Sequence, residues 1–298
     1  MQNYYYFAVS GFQHPLSYIS KALVDRFPWD TVPPYFTVDH EQRTVTFSPP
    51  PDASRAVRTD LFEAILHTVV STTSPIKCLR RWRDERIPVW YHPTASGVRE
   101  YVMDIDRCGA EFLSVPNHGV HMTGWTTAPD GQLRLWVPRR AATKSMYPNM
   151  LDNTVGGTLR ANESPLDGII REAEEELCIP PAYSRAHIRA CGTLATHPFN
   201  TINGVDCPDE ARTVQYTYEL EMDPAVVTPR IGDGEVGEIL LMDVDELRRR
   251  LAAGEFKPPT VVTYMAFLIR RGVITAENEP DYVEICARLQ RPYDIYRY

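Results

Sequence analysis

The stretch GTLRANESPLDGIIREAEEELCI, from Gly157 to Ile179, gathers carboxylates at a spacing that only a helix makes useful. At about 100° per residue, Glu172, Glu175 and Glu176 fall within roughly 100° of one another, while Ile169, Ile170, Ala173 and Leu177 occupy the adjoining side. One face is predicted to bind and the other to pack. Ser164 as N-cap, Pro165 at the first helical position and Asp167 near the third make a start signal close to a capping box, so the helix is predicted to begin near Pro165. Like charges at i, i+3 and i+4 repel by a few tenths of a kcal/mol per pair. A divalent cation that favours oxygen ligands, magnesium or manganese, would offset that repulsion. The competing reading is a solvated acidic face.

Working outward, the chain has 298 residues, 43% of them hydrophobic and 23% charged, which fits an ordinary soluble protein of one large or two modest domains. A net charge of −8 argues against general affinity for nucleic acid or an anionic membrane. The cysteines at 78, 108, 178, 191, 207 and 286 contain no CxxC pair and read as isolated, buried thiols of a reducing compartment. MQNYYYFAVSGF at the start lacks a charged n-region, and no run approaches the ~18 apolar residues of a membrane span. The expectation is a cytoplasmic chain, with little to exclude the nucleus.

Residues 1–117 carry apolar clusters separated by Pro-containing turns and are expected to form a folded leader domain. Val38, Val45 and Phe47 suggest two strands around a polar turn, and Leu61 to Val70 has helical spacing. In RWRDERIPVWY, Arg81 to Tyr91, arginines alternate with aromatics. That composition suits either a packed strand with a charged face or a surface that stacks a ring and pairs its phosphates through Arg81 and Arg83.

From His118 onward, PDG marks a turn and Leu133, Leu135 and Val137 alternate as a strand. Arg139, Arg140 and Lys144 follow, placed to meet phosphates or merely to solubilise a loop. Leu151 to Val155, with Asn153 at its centre, is predicted as a short strand leading into Gly156 and Gly157, where the lack of side chains lets a backbone carbonyl approach an ion. RACGTLATHPF and TVQYTYELEM are predicted strands, the second presenting Val214, Tyr216, Tyr218 and Leu220 on one face. GDGEVGEILLMDVDELRRRLAAGEF gives a turn, a strand and a helix opened by Asp243 or Asp245, with Glu235 and Glu238 in a second acidic loop. His121, His187 and His197 lack ligand spacing. The order of elements predicts an α/β fold with a mixed sheet between helices.

Gly157, Glu163 and the run Arg171-Glu172-Ala173-Glu174-Glu175-Glu176-Leu177 together resemble the Nudix box of diphosphate hydrolases, G-x5-E-x7-R-E-U-x-E-E-x-G-U, with Cys178 where the box has Gly. Outside the box, YPNMLDNTVGG, WRDE, HGVHMTGW, DGEVGEILLM, FKPPTVVTYMAFLIRRGVIT and PDYVEI resemble the Nudix proteins related to the N-terminal part of fungal thiamine pyrophosphokinases. Here Gly156-Gly157-Thr158 stands where those proteins have Ala-Gly-Gly, and Asn162 where they have Gly.

The resemblance implies an α/β/α Nudix sandwich over 118–255, preceded by the leader of 1–117 and followed by a helical extension over 256–298 that packs on it. It implies a Mg2+-dependent (or Mn2+-dependent) hydrolase acting on a small-molecule diphosphate, thiamine diphosphate or its oxidised derivatives above all. Isoprenoid diphosphates and an inert diphosphate-binding role are the alternatives. By position, Glu172, Glu175, Glu176 and the Gly157 carbonyl would serve the metal, and Glu175, Glu172 and Arg171 the catalysis. Arg139, Arg140, Lys144, Asn153, Arg81 and Arg83 would serve the substrate, with Glu163, Glu235 and Glu238 in support. The oligomeric state is left open, a dimer being allowed.

Overall fold

The computed structural model describes residues 4–32, 34–91, 100–115, 117–144, 146–160, 163–196, 200–202, 205–207 and 213–289. These fall into two compact units, one holding the chain up to Asn117 with a hairpin from the 200s, the other holding the rest.

In the first unit, β1 (Tyr4–Val9), β2 (Ser17–Ser20), β3 (Phe36–Asp39) and β4 (Thr44–Phe47) form a sheet in the order β2-β1-β4-β3. Between β2 and β3 lies α1 (Lys21–Arg26). Val38 and Val45 are register partners across the predicted polar turn. Helix α2 (Arg55–Val69) is longer than its apolar spacing suggested, because Ser54 caps it by accepting Val57 N–H and so begins it two turns early. Phe62 of α2 meets Phe47 edge to face at 5.3 Å inside the core. In the Arg81 to Tyr91 segment, only β5 (Arg86–Tyr91) is strand, pairing with β6 (Glu100–Asp106). Asp106 caps α3 (Arg107–Phe112), and its carboxylate also accepts the N–H groups of Arg83 and Glu85, which fixes the loop before β5.

The second unit is an α/β/α sandwich. Its strands β7 (Asn117–Thr127), β8 (Leu133–Arg140) and β9 (Val155–Thr158) are followed by α4 (Pro165–Leu177), α5 (Pro181–His187) and β10 (Arg189–Thr196). The hairpin of β11 (Asn200–Ile202) and β12 (Val205–Cys207), which belongs to the first unit, intervenes before β13 (Thr213–Glu221), β14 (Val236–Asp243), α6 (Val244–Ala252), α7 (Pro258–Arg270) and α8 (Tyr282–Leu289). The sheet runs β10-β13-β7-β8-β14, with β9 paired to β7. Alternate residues along the strands divide between two layers. Val120, Met122, Val155 and Leu220 pack with Ile169, Ala173 and Leu177 of α4. Leu135 and Val137 pack with Tyr264, Phe267 and Leu268 of α7.

One strand prediction needs correction, and a second is borne out with more burial than its alternation implied. The strand expected over Leu151 to Val155 lies instead over Val155–Thr158 and contains both glycines. Leu151 forms only isolated bridges to Arg139 and Phe256, because Asp152 and Asn153 are drawn into side-chain bonds that end the ladder. On β13, Tyr218 and Leu220 are buried as the alternation suggested, yet Gln215, Thr217 and Glu219 on the other face are buried too. The reason is α7, since Arg270 Nε and Arg271 Nη2 donate to the Glu219 carboxylate at 2.8 and 2.6 Å. Among the described residues no helix is long and apolar enough to cross a membrane.

Burial alone would raise the Glu219 carboxyl, but the two guanidiniums outweigh it and hold it below the ordinary glutamate value. Its contribution to stability is then fully present above the unfolded glutamate pKa of about 4.3 and is lost as pH falls through the depressed folded value. Glu219→Gln should cost about 3 kcal/mol at pH 7 and flatten the acid limb of a stability-versus-pH curve measured by urea unfolding. An unchanged midpoint at pH 7 would show that the pair does not hold α7 to the sheet.

Candidate metal and phosphate site

Helix α4 begins where its local chemistry dictates. Ser164 Oγ accepts Asp167 N–H at 3.1 Å and bonds its carboxylate at 2.6 Å, and Pro165 takes the first helical position. At the other end Cys178 adopts the left-handed conformation with φ 53°, so the turn that glycine usually makes is kept without glycine. The open carbonyls of the last turn are met from outside the helix. Arg230, Gly232 and Asp233 N–H donate to Leu177, Glu176 and Glu175 O at 3.0, 2.9 and 3.0 Å. A Cβ on Gly232 would stand 2.0 Å from Glu175 O, so this loop can lie there only with glycine at that place. Nothing in the side-chain pattern marks this contact, because it is made by backbone alone.

The acidic face is organised by one guanidinium. Arg171 grips Glu163 with Nε and Nη2 at 2.7 and 2.9 Å, while its Nη1 reaches both Glu172 Oε1 and Glu175 Oε2 at 2.9 Å. Glu163 also accepts Arg160 N–H, so the loop before the helix is tied to the same charge. Glu172 lies against β9, where a Cβ on Gly157 would fall 2.0 Å from Glu172 Oε1. Glu176 stands apart from the clamp, accepting Gly156 N–H at 3.3 Å.

Electrostatics set Glu163, Glu172 and Glu176 apart from one another. Arg171's hydrogen bonds hold Glu163 below the ordinary range. Burial raises Glu172 despite the countering Arg171 charge, and burial followed by the charges of Glu172 and Asp152 raises Glu176 well above it. Among the described residues no set of three His, Cys, Asp or Glu side chains converges as a ready ligand cage. What the site offers is a pair of hard oxygen donors one helical turn apart, Glu172 and Glu176, with the glycine cradle at Gly157 beside them. That donor set fits a divalent cation such as Mg2+ or Mn2+, whose charge would relieve the desolvation and repulsion acting on both groups.

Next to Glu176 a pocket opens between Pro138 and Arg140 of β8 and the segment Asp152, Asn153 and Gly156, with Glu235 at its rim. The basic residues nominated for phosphate are here, but each is engaged. Arg140 Nη1 donates to Asp152 Oδ2 at 2.7 Å and its other nitrogens to Met146 and Tyr147 O. Arg139 bonds Glu238 and Asn149 O, both at 3.0 Å, and Lys144 pairs with Glu235. Asn153 is buried, its Nδ2 bonding Thr123 Oγ1 at 3.2 Å. Sequence reasoning passed over Lys257, whose Nζ meets Asp152 Oδ2 at 3.1 Å, and Asp152 itself, held below the ordinary aspartate value by Lys257 and Arg140 against the opposing effect of burial. The only clue was Lys257's place just before the Pro-Pro start of α7.

Arg81 is exposed and Arg83 half-buried, both in the first unit. Of the histidines, His187 is exposed at the end of α5, and His197 lies outside the described residues. His121 is buried and pushed down to about 4, first by burial and then by the Lys257 charge, so it is neutral at pH 7. Cys78 and Cys108 are buried free thiols, Cys178, Cys191 and Cys286 half-buried ones, and the side chain of Cys207 lies outside the described residues.

A left-handed residue other than glycine is strained by about 1–2 kcal/mol, of which glycine's extra chain entropy would return up to about 1. Cys178→Gly should therefore stabilise the protein by up to about 1 kcal/mol, seen as a higher melting temperature. A lower one would mean that the thiol's weak contact with Ile231 O, at 3.9 Å, matters more than the backbone.

The NUDIX domain profile matches residues 118–262, nearly the whole span that contains this site. An uncharacterized protein of Saccharomyces cerevisiae is 31% identical over 73% of this chain and 64% of its own length. Nudix hydrolase 20, chloroplastic, of Arabidopsis thaliana is 31% identical over 62% of this chain and 47% of its own. The chain thus spans about half to two thirds of these relatives. A solved structure from Deinococcus radiodurans is 27% identical over 63% of this chain and 98% of that one, with a TM-score of 0.42. With the acidic helix, its arginine clamp and the α/β/α layers in place, residues 118–262 constitute a Nudix domain, and named Nudix hydrolases are among the chain's homologues.

Proposed function

We propose that this protein is a Mg2+-dependent hydrolase that cleaves the phosphoanhydride bond of an organic diphosphate, releasing the monophosphate and phosphate. The observation that carries the reading is the Arg171 clamp, which fixes Glu163, Glu172 and Glu175 about a single charge and leaves Glu176 free of it. Hydrolysis brings water to a phosphorus ringed by negative oxygens, so the site must neutralise the diphosphate, orient the water and stabilise the departing phosphate. The cation, Mg2+ or Mn2+, would supply charge neutralisation and activation of water. Glu172 and Glu176 would hold it, with the Gly157 carbonyl beside them. Glu175, the most exposed carboxylate of the clamp, would ligate or accept the proton of the attacking water. Arg171 keeps these rotamers from collapsing onto one another, and Glu163 anchors Arg171.

For the substrate, we favour thiamine diphosphate or its oxidised derivatives, a reading that rests on the resemblance of the motifs quoted above to those of thiamine pyrophosphokinase-related Nudix proteins. An isoprenoid diphosphate is the second reading, and an inert binding protein the third, opposed by the complete set Arg171, Glu172, Glu175 and Glu176. The test is a panel of diphosphates with thiamine, prenyl and nucleotide-sugar groups, followed by monophosphate release with Mg2+. Turnover of other diphosphates far ahead of the thiamine series would end the substrate reading.

Glu176→Gln should lower kcat by on the order of a hundredfold. It should leave the metal-free protein as stable or slightly more so, because a desolvated charge repelled by Glu172 is removed. Its melting temperature should also respond less to Mg2+. Wild-type turnover by this variant would show that the metal lies elsewhere.

A further inference from the structure

Arg139, Arg140 and Lys144, at and just beyond the end of β8, all carry acidic partners, but on different terms. Arg139 continues the row of Leu135 and Val137, which packs with α7, so strand alternation turns it away from the acidic side of α4. Arg140 lines the pocket beside Glu176, yet its pair with Asp152 is nearly closed to water, the side chains being 15% and 11% exposed. Breaking such a pair would strand buried charge, weakening any binding that required it by about a hundredfold or more. Lys144 and Glu235 are 25% and 47% exposed. An ion pair so open to water is favoured by no more than about fivefold. Of the three bases, Lys144 is the one that a phosphate can take.

This pair can open without moving the main chain. Ala141 N–H donates to Glu235 O at 2.9 Å and Lys144 N–H donates to Ala141 O at 3.2 Å, so one residue ties the backbone on both sides of it. Glu235 N–H donates in turn to Asp233 Oδ1 at 2.9 Å, and Asp233 N–H to Glu175 O of α4 at 3.0 Å. Only side-chain torsions are left to change. Glu235 stands at the rim of the pocket that Asp152 and Glu176 also line. That pocket is no bigger than a water molecule, so a phosphate bound by a cation at Glu176 would lie across its mouth, beside the Lys144–Glu235 pair.

We propose that Glu235 is a resident competitor for Lys144: the incoming diphosphate displaces its carboxylate from the ammonium, and the carboxylate retakes the ammonium as the product phosphate leaves. A phosphate carries more charge than a carboxylate and three acceptor oxygens, which is why it can win the exchange. Because the carboxylate must be displaced each time, affinity for substrate and for product phosphate is lowered alike, and the phosphate is released sooner. The inference rests on the diphosphate site of the hydrolase reading and gives Glu235 a role other than ligand or base.

The test is a double-mutant cycle on the full chain with Mg2+, in which calorimetry measures binding of methylenediphosphonate, a diphosphate mimic that cannot be hydrolysed. Lys144→Met should weaken binding about tenfold. Glu235→Gln, which keeps the shape and removes the charge, should tighten it about three- to fivefold. In the Lys144→Met background the same change should alter binding by less than about twofold. During turnover of the best diphosphate in the panel, Glu235→Gln should lower KM and make inorganic phosphate a stronger product inhibitor. Tightening as large without Lys144 as with it would mean simple repulsion by Glu235, and the exchange falls. Weaker binding by Glu235→Gln, together with weaker Mn2+ affinity, would mean that the carboxylate serves the metal, and overturns it equally. Neither result touches the hydrolase reading, which has its own turnover assay. Binding that follows the cycle, with no diphosphate turned over, supports the exchange and ends the hydrolase reading alone.

Discussion

One guanidinium against three carboxylates is the constraint on which the site depends. Without Arg171, Glu163, Glu172 and Glu175 would repel across a few ångströms of partly desolvated space, and each would turn outward to water. With it, their rotamers are fixed before any ion arrives, and the loop from Arg160 is drawn onto the helix through Glu163. The cost of closing the helix over Gly157 and beneath Gly232 is met by the absence of side chains at those two positions. Stability and reactivity thus draw on the same few contacts: the helix packs by Ile169, Ala173 and Leu177, and everything on its other face is arranged around charge.

The second organising feature is the opening in the sheet where β8 and β9 each pair with a different part of β7. Asp152 sits in it, balanced by Arg140 and Lys257, and its backbone carbonyl accepts the Tyr264 hydroxyl at 3.1 Å. That network is why the strand begins at Val155 and why α7 belongs to the sandwich as a covering layer. At the far end of α7 the Glu219 ion pairs do the same work, and Arg271 also lies over the Trp125 ring at 4.0 Å. Between these two anchors α7 covers the polar side of the sheet.

Features legible in the sequence were those whose causes are local. The start of α4 follows from Ser164 and Pro165, the cap of α6 from Asp243, and the apolar stripe of α4 from its period. Misplaced or missed features have partners far away in the chain. Buried Glu219 makes sense only with Arg270 and Arg271, and Lys257 only with Asp152, about a hundred residues earlier. The loop at Arg230–Asp233 meets α4 through backbone N–H groups and so leaves no mark on side-chain pattern. Basic residues near the site looked free as letters, yet Arg139, Arg140 and Lys144 each found an acidic neighbour from a separate segment. Cys178 shows the reverse case, in which backbone bonding to the helix end keeps a left-handed turn that the residue type disfavours.

The claim that Arg171 sets the metal-binding geometry is tested most directly by Mn2+ affinity, measured by the loss of the free-ion EPR signal, in wild type and Arg171→Lys. Lysine keeps the charge but cannot reach three carboxylates in a planar fork. Mn2+ should bind at least about tenfold more weakly to Arg171→Lys, with little change in the metal-free melting temperature. Equal affinity in the two proteins would contradict it, for the carboxylates would then be positioned by something other than the clamp.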